Sequence, residues 1–232
     1  GPHMGQHSLP GNPPVPLQMR TSARARRITL RISSLDGTVT LTRPRGVSER
    51  AALDFARDKE AWLRGHLANQ EDAVSVGLGV RLPIEGLARR VEAGQGRRVR
   101  LDGDRVLVPG PEERVAARLL GFLKTHARSR LAEASDRYSA RLGRGYARLT
   151  LRDTRSRWGS CTADGGLMYS WRLILAPPEG LEYVAAHEVA HLQEMNHSAA
   201  FWALVTQLYG PYQAQRRWLH REGAALHRIR FT

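Results

Sequence analysis

The chain has 232 residues, 41% of them hydrophobic and 25% charged, enough to bury one sizeable core, or one core with a small satellite domain. Thirty-six basic residues against 22 acidic ones leave a net charge of +14, which favours contact with polyanions or acidic substrates, although a solvated basic surface gives the same sum. The single cysteine excludes an internal disulfide framework, no run approaches the length that spans a bilayer, and nothing in the composition is fibrous.

Gly1-Pro2-His3-Met4 resembles a protease-cleavage and cloning scar and is set aside. Residues 5–18 are Pro-rich without the apolar run of a signal peptide, so residues 1–20 are expected to be a scar followed by a flexible tail, and the protein to be cytoplasmic. Cys161, without a partner, agrees with a reducing compartment and is expected to be a small buried residue.

From Arg20 the arginines are dense, and Ile28, Leu30 and Ile32 alternate with Thr29 and Arg31 at strand periodicity. Asp36-Gly37 signals a hairpin, after which Val39 and Leu41 resume the alternation until Pro44 and Gly46. Ser48 suits the N-cap of one helix running through Leu53, Ala56, Trp62, Leu63 and Leu67, with Glu49 at its positive end. Short segments around residues 80–84, 89–93 and 99–108, divided by glycines and the Asp102-Gly103 turn, read as antiparallel strands. Pro109-Gly110-Pro111 is a break, and residues 112–142 form a long helix with Val115, Leu119, Phe122, Leu123, Leu131 and Tyr138 on one face, ending near Gly143. The expected organisation is a β-rich region with one helix at residues 21–110 and a catalytic region at 111–232.

Two strands follow, at 148–152 and 167–171, joined by a polar, Gly-rich stretch. Pro177-Pro178 opens a helix with Glu179 in its first turn. This helix is expected to run to Asn196, in the left-handed conformation, before Ser198 caps the next helix through Phe201, Trp202, Leu204, Val205 and Leu208. A last helix holds Trp218 and Leu219 and runs into a basic tail.

The first of these helices carries His187-Glu188-Val189-Ala190-His191. Residues four apart differ by about 40° around a helix, so both imidazoles reach one point, while Glu188 is rotated about 100° from His187 and about 60° from His191. That places a carboxylate beside a metal held by the histidines rather than on it, where a general base is needed. His197 is the third ligand, held in the turn between two helices. The expected cofactor is Zn2+, bound by His187, His191 and His197, with Glu188 as the catalytic base.

Arg155-Ser156-Arg157-Trp158-Gly159-Ser160-Cys161, the segment from Trp171 to Pro178, the histidine motif, and Asn196-His197-Ser198 with Phe201-Trp202 together resemble the YgjP-like (DUF45) metallopeptidases, relatives of the SprT-like zinc proteases. The hairpin and the Pro44 to Ser48 segment extend the likeness to most of the chain after residue 20. The resemblance implies an α+β, zincin-like catalytic region with an HExxH helix and a small antiparallel sheet. The histidine spacing also matches metzincins, but Glu194 stands where their glycine is expected and no methionine turn follows, so that assignment is rejected. Glu194 is read as a solvated carboxylate or a partner to a ligand.

The expected function is metallopeptidase action on a peptide or protein substrate. The alternatives are a zinc-dependent nucleoside triphosphate pyrophosphohydrolase, drawn from Arg148, Arg152, Arg155 and Arg157, and a SprT-like protease recruited to nucleic acid through the basic surface. Arg155, Arg157, Trp158, Tyr169 and Arg172 are the substrate-binding candidates; Tyr209 and Tyr212 join Tyr169 as possible hydrogen-bond donors to an oxyanion. Residues 167–171 are read either as the exposed edge that pairs with an extended peptide or as interior sheet. Trp158 is read more readily as a packing anchor than as a substrate platform.

Overall fold

The computed structural model describes residues 4–11, 14–33, 37–68 and 73–232. It is a mixed α+β protein of two compact units, residues 1–73 and 74–232. The division falls at Ala73, not at the Pro109-Gly110-Pro111 break, because the short strands before residue 110 pack into the core of the second unit.

In the first unit, β1 (Met4–Leu9), β2 (Val15–Ser22), β3 (Thr29–Ile32) and β4 (Val39–Pro44) form a sheet in the order β1-β2-β4-β3. The expected tail is therefore two strands. Its proline content misled, although Val15, Leu17 and Met19 alternate and are all buried. Pro16 is tolerated because β2 pairs with β4 only from Leu17 onward, so its missing N–H faces no partner on that side. The pairing of β3 with β4 makes the expected hairpin, although Asp36 of its turn lies outside the described residues. Ser48 caps α1 (Glu49–Asp58) by accepting from the Ala51 N–H, but the helix stops at Lys59 and α2 (Glu60–Ala68) follows as a second one. Ala52, Ala56 and Leu63 cover Leu9, Leu17 and Leu41, while Trp62 is exposed.

The second unit opens with β5 (Val74–Ser75), then β6 (Arg81–Ile84), β7 (Leu87–Ala93), β8 (Arg100–Asp102) and β9 (Arg105–Val108), the last four ordered β6-β7-β9-β8. Both hairpins are antiparallel as expected, but β7 and β9 pair in parallel. After a 3-10 turn at Glu112–Arg114 comes α3 (Val115–Leu142), closed by Gly143 at φ 79°. Its buried stripe, Val115, Leu119, Leu123, Ala127, Leu131, Ala134 and Tyr138, has the three-and-four spacing of one helix face.

The remaining elements are β10 (Arg148–Arg152), β11 (Gly159–Cys161), β12 (Gly166–Ser170), a 3-10 segment at Trp171–Leu175, α4 (Pro178–Ala190), α5 (Ala199–Tyr209), α6 (Gln213–His227) and β13 (Ile229–Arg230). The expected basic tail is β13, which pairs with β5. β12 is the middle strand, parallel to β10 and antiparallel to β11, so the sheet is mixed and β12 is interior; the free edge beside α4 belongs to β11. A strand paired on both sides has no ladder groups left for a substrate.

Two features fix the entry to α4. Glu85 and Gly86, at φ 52° and 76°, make a two-residue turn with positive φ at both positions, the geometry that matches strand twist. Its N–H groups donate to the carbonyls of Ile174 (2.7 Å) and Leu175 (3.3 Å). A Cβ on Gly86 would lie 2.8 Å from Pro177 Cα, so the hairpin tip rests directly on the N-cap residue of the helix. The Glu85 carboxylate in turn reaches Arg130 and His126 of α3, each at 3.0 Å.

Candidate active site

Helix α4 is apolar on nearly all sides: Leu181, Tyr183, Val184, Ala185, Ala186, Val189 and Ala190 are buried, as befits a helix packed against α3, α5 and α6. Arg137 and Tyr138 of α3 hold Glu182 at 2.8 Å each and pin its outer face. His187 and Glu188 occupy its last turn. His191 is the residue at the helix end, φ −65° and ψ −15°, where bonds from Leu192 to Val189 and from Gln193 to Ala190 tighten the chain into 3-10 form. The helix thus ends at Ala190, short of the expected Asn196, and Asn196 is not left-handed. Ser198 then caps α5 by accepting from the Phe201 N–H at 3.2 Å, which fixes His197 one residue before the cap.

His187, His191 and His197 converge, with one ligand nitrogen from each lying within 4.8 Å of the others. The Nε2 atoms of His187 and His197 are 3.2 Å apart, close to the ~3.3 Å between two ligands of a tetrahedral ion with bonds of about 2.05 Å. His191 Nδ1 donates to the Glu194 carbonyl at 2.9 Å, which leaves its Nε2 with a lone pair. Glu194 thus acts through its backbone rather than its carboxylate. Tyr183 places its hydroxyl 3.2 Å from His187 Nδ1. Burial and the neighbouring histidines push His187 down to about 3, and burial lowers His191 as well, so both rings are neutral donors at neutral pH. Three converging imidazoles, two of them neutral and held by their second nitrogens, form a donor set that fits a divalent ion.

Aromatic rings wall the cluster. Phe201 stacks on His191 at 4.3 Å, and Trp202 lies 5.5 Å from His187 and 5.9 Å from His197. Tyr212 stacks between Trp202 and Tyr183. Glu188 is 5% exposed, and burial raises its carboxyl to about 8 against the opposing charge of Arg157. Gly159 makes room for it: a Cβ there would stand 2.9 Å from Glu188 Cγ and 3.1 Å from the Met168 carbonyl.

The substrate-binding candidates separate. Arg157, exposed, is the one whose charge acts on Glu188, and Arg155 is exposed in the same loop with its charge acting on His227. Trp158 is an anchor: it packs on Gly223, where a Cβ would meet its ring at 2.7 Å, and its ring lies 5.0 Å from that of His227. Tyr169 is fully buried, with its hydroxyl 2.9 Å from that of Ser135 in α3, out of reach of any substrate. Arg172 is also withdrawn: it donates to Asp153 (2.7 Å) and to the carbonyls of Leu226 (2.7 Å) and Ile229 (2.8 Å), tying the end of α6 to the sheet. Tyr209 donates to the Glu179 carbonyl. Cys161 is half-buried, and burial together with the charge of Glu188 raises its thiol to about 11. Among the described residues no helix is long and apolar enough to cross a membrane.

Sequence reasoning missed Tyr183, four residues before His187 and so on the same helix face, and Gly159, whose role depends on a contact 29 positions away. The YgjP-like metallopeptidase domain model matches residues 26–222, and the chain belongs to that family. No curated protein and no solved structure matches it.

Proposed function

We propose that this YgjP-like protein is a zinc-dependent peptidase in which His187, His191 and His197 hold the metal and Glu188 is the general base. The observation that carries the reading is the convergence of the three imidazoles beside a buried carboxylate. When bound there, zinc supplies Lewis acidity, polarising a carbonyl and lowering the pKa of water to about 7.

The protein's own part is orientation and proton handling. Tyr183 and the Glu194 carbonyl hold His187 and His191 by their Nδ1 atoms and fix the ring planes. Glu188, confined by Gly159, accepts a proton from the attacking water at its carboxylate and passes it to the leaving amine; next to a bound cation the carboxylate form is favoured over the neutral acid. Phe201 and Trp202 exclude bulk water from one side of the cluster.

An extended peptide finds a suitable ladder on β11, the edge strand that packs against α4. Trp158 accepts from Ser170 and Thr162 donates to Gly166, so in β11 the intervening Gly159 and Cys161 direct their N–H and C=O groups away from β12. These outward groups lie on the strand that packs against α4 and suit β-addition by a substrate, with Arg157 just ahead of them. The pyrophosphohydrolase reading draws less support, since Arg148 is forked onto Asp164 at 3.0 and 3.2 Å.

The test is Glu188→Gln assayed on a peptide library with zinc measured by atomic emission. Cleavage is expected to vanish while one zinc per chain remains; retained cleavage overturns the mechanism. Chelator-sensitive release of pyrophosphate from nucleotides, with no peptide cleaved, overturns the peptidase assignment.

A further inference from the structure

A cavity of about 300 Å³ opens between α3 and β10, lined by Lys124, Thr125, Arg128, Leu151, Arg152, Asp153 and Trp171. None of the three histidines nor Glu188 lines it. Lys124 and Arg128 stand one turn apart on α3, and Arg152 closes β10, the edge strand of its sheet. The floor is apolar: Trp171 is 2% exposed and Leu151 half-buried.

The charges here are unbalanced. Lys124 and Arg152 make no ion pair with a carboxylate among the described residues. Arg128 gives one N–H to the Leu149 carbonyl at 3.3 Å and keeps four of its five donors. The one acid in the lining, Asp153, has both oxygens on Arg172, at 2.7 and 3.4 Å. Three cations therefore line a concave space whose one carboxylate, Asp153, is turned onto a fourth cation, Arg172.

We propose that this cavity binds a compact oligophosphate group, separately from the histidine cluster. Three cations around one small space call for a ligand carrying two or three negative charges close together, which a single carboxylate does not supply. Guanidinium pairs with phosphate through two parallel N–H donors, and Lys adds a mobile point charge. The volume lies at the lower end of the range for small-molecule sites, and a concave space of that size suits a compact anion better than a duplex, which needs an extended basic track. Inorganic tripolyphosphate and the triphosphate of a nucleotide share this chemistry; the apolar floor under Leu151 and Trp171 favours the ligand that carries an organic part.

The experiment is calorimetric titration of the full chain with tripolyphosphate and with ATP, in low salt and with EDTA present so that phosphate cannot ligate a metal at the histidines. Binding is expected for both, tighter for ATP, and about tenfold weaker in Lys124→Ala/Arg152→Ala, whose two exposed side chains leave the core intact. Arg97→Ala/Arg98→Ala, which removes the same charge from an exposed loop, is expected to bind as the wild type does. Absent binding of both compounds overturns the proposal, as does an equal loss in the two double variants, which marks non-specific attraction. Loss of binding in His187→Ala with retention in Lys124→Ala/Arg152→Ala moves the site to the histidines and overturns it too. A duplex oligonucleotide bound through Lys124 and Arg152 where neither small phosphate binds replaces it with a nucleic-acid surface. Because no arm reads catalysis, failure here leaves the peptidase reading untouched.

Discussion

Gly159→Ala is the sharpest probe of the site. The added Cβ meets Glu188 Cγ at 2.9 Å, Glu188 Oε2 at 3.1 Å and the Met168 carbonyl at 3.1 Å. Two of these neighbours belong to the proposed base and the third to the middle strand, which is held on both sides and cannot recede. To regain ordinary contact the carboxylate must shift by about half an ångström or the strand must bend. Overpacking of this kind costs about 1–3 kcal/mol, which in a unit of this size is a fall in Tm of roughly 3–8 °C. A misplacement approaching 1 Å at a catalytic group costs up to about 10²-fold, so kcat is expected to drop roughly 10- to 100-fold with zinc content unchanged. Thermal melts, metal analysis and peptide turnover on one preparation read all three. Wild-type Tm together with wild-type kcat refutes the reasoning, because the Cβ would then have found space that the structure does not offer.

Gly86→Ala combines a left-handed φ of 76° with a Cβ 2.8 Å from Pro177 Cα and is expected to destabilise the protein by about 2–4 kcal/mol in urea unfolding; a cost under about 0.5 kcal/mol contradicts the docking of that turn. Arg172→Ala strips the Leu226 and Ile229 carbonyls of their donor and is expected to cost about 3 kcal/mol, while a folded Arg172→Lys variant keeps the peptide KM, as a structural residue should; an altered KM there restores it as a substrate contact. For Glu85, burial by itself raises the carboxyl, but the Arg130 hydrogen bond and the charges of His126 and Arg130 outweigh it and hold the folded value below the ordinary 4.5. Its contribution is therefore complete above pH 4.5 and is lost as the pH falls through the lower folded value. Glu85→Gln should remove that part of the acid limb in Tm measured against pH, and an acid limb identical to wild type excludes the linkage.

Much of the local structure was legible because it depends on neighbours in sequence. Ser48 and Ser198 cap helices through N–H groups three residues away, Gly143 ends α3, and Pro178 starts α4. The placing of His187, Glu188 and His191 on one helix follows from the four-residue spacing alone. The first two strands were not read because proline content outweighed the alternation of Val15, Leu17 and Met19, and only the offset pairing of β2 explains why Pro16 is accepted. The end of α4 at His191 was likewise out of reach, since 3-10 tightening leaves no compositional mark.

The sequence by itself determined the donor types, their order and the carboxylate beside them, because these rest on side-chain chemistry and the helical repeat. Tertiary structure alone decided which other residues serve the site. Arg172 lies in a segment that resembles the family as closely as that of Gly159 does, yet it turns into the core, as does Tyr169, while Gly159 backs onto Glu188. The reason is that strand order, not strand content, sets what each face meets: β12 is buried between two partners, β11 keeps an open edge against α4, and no pattern along the chain records which of them lies in the middle.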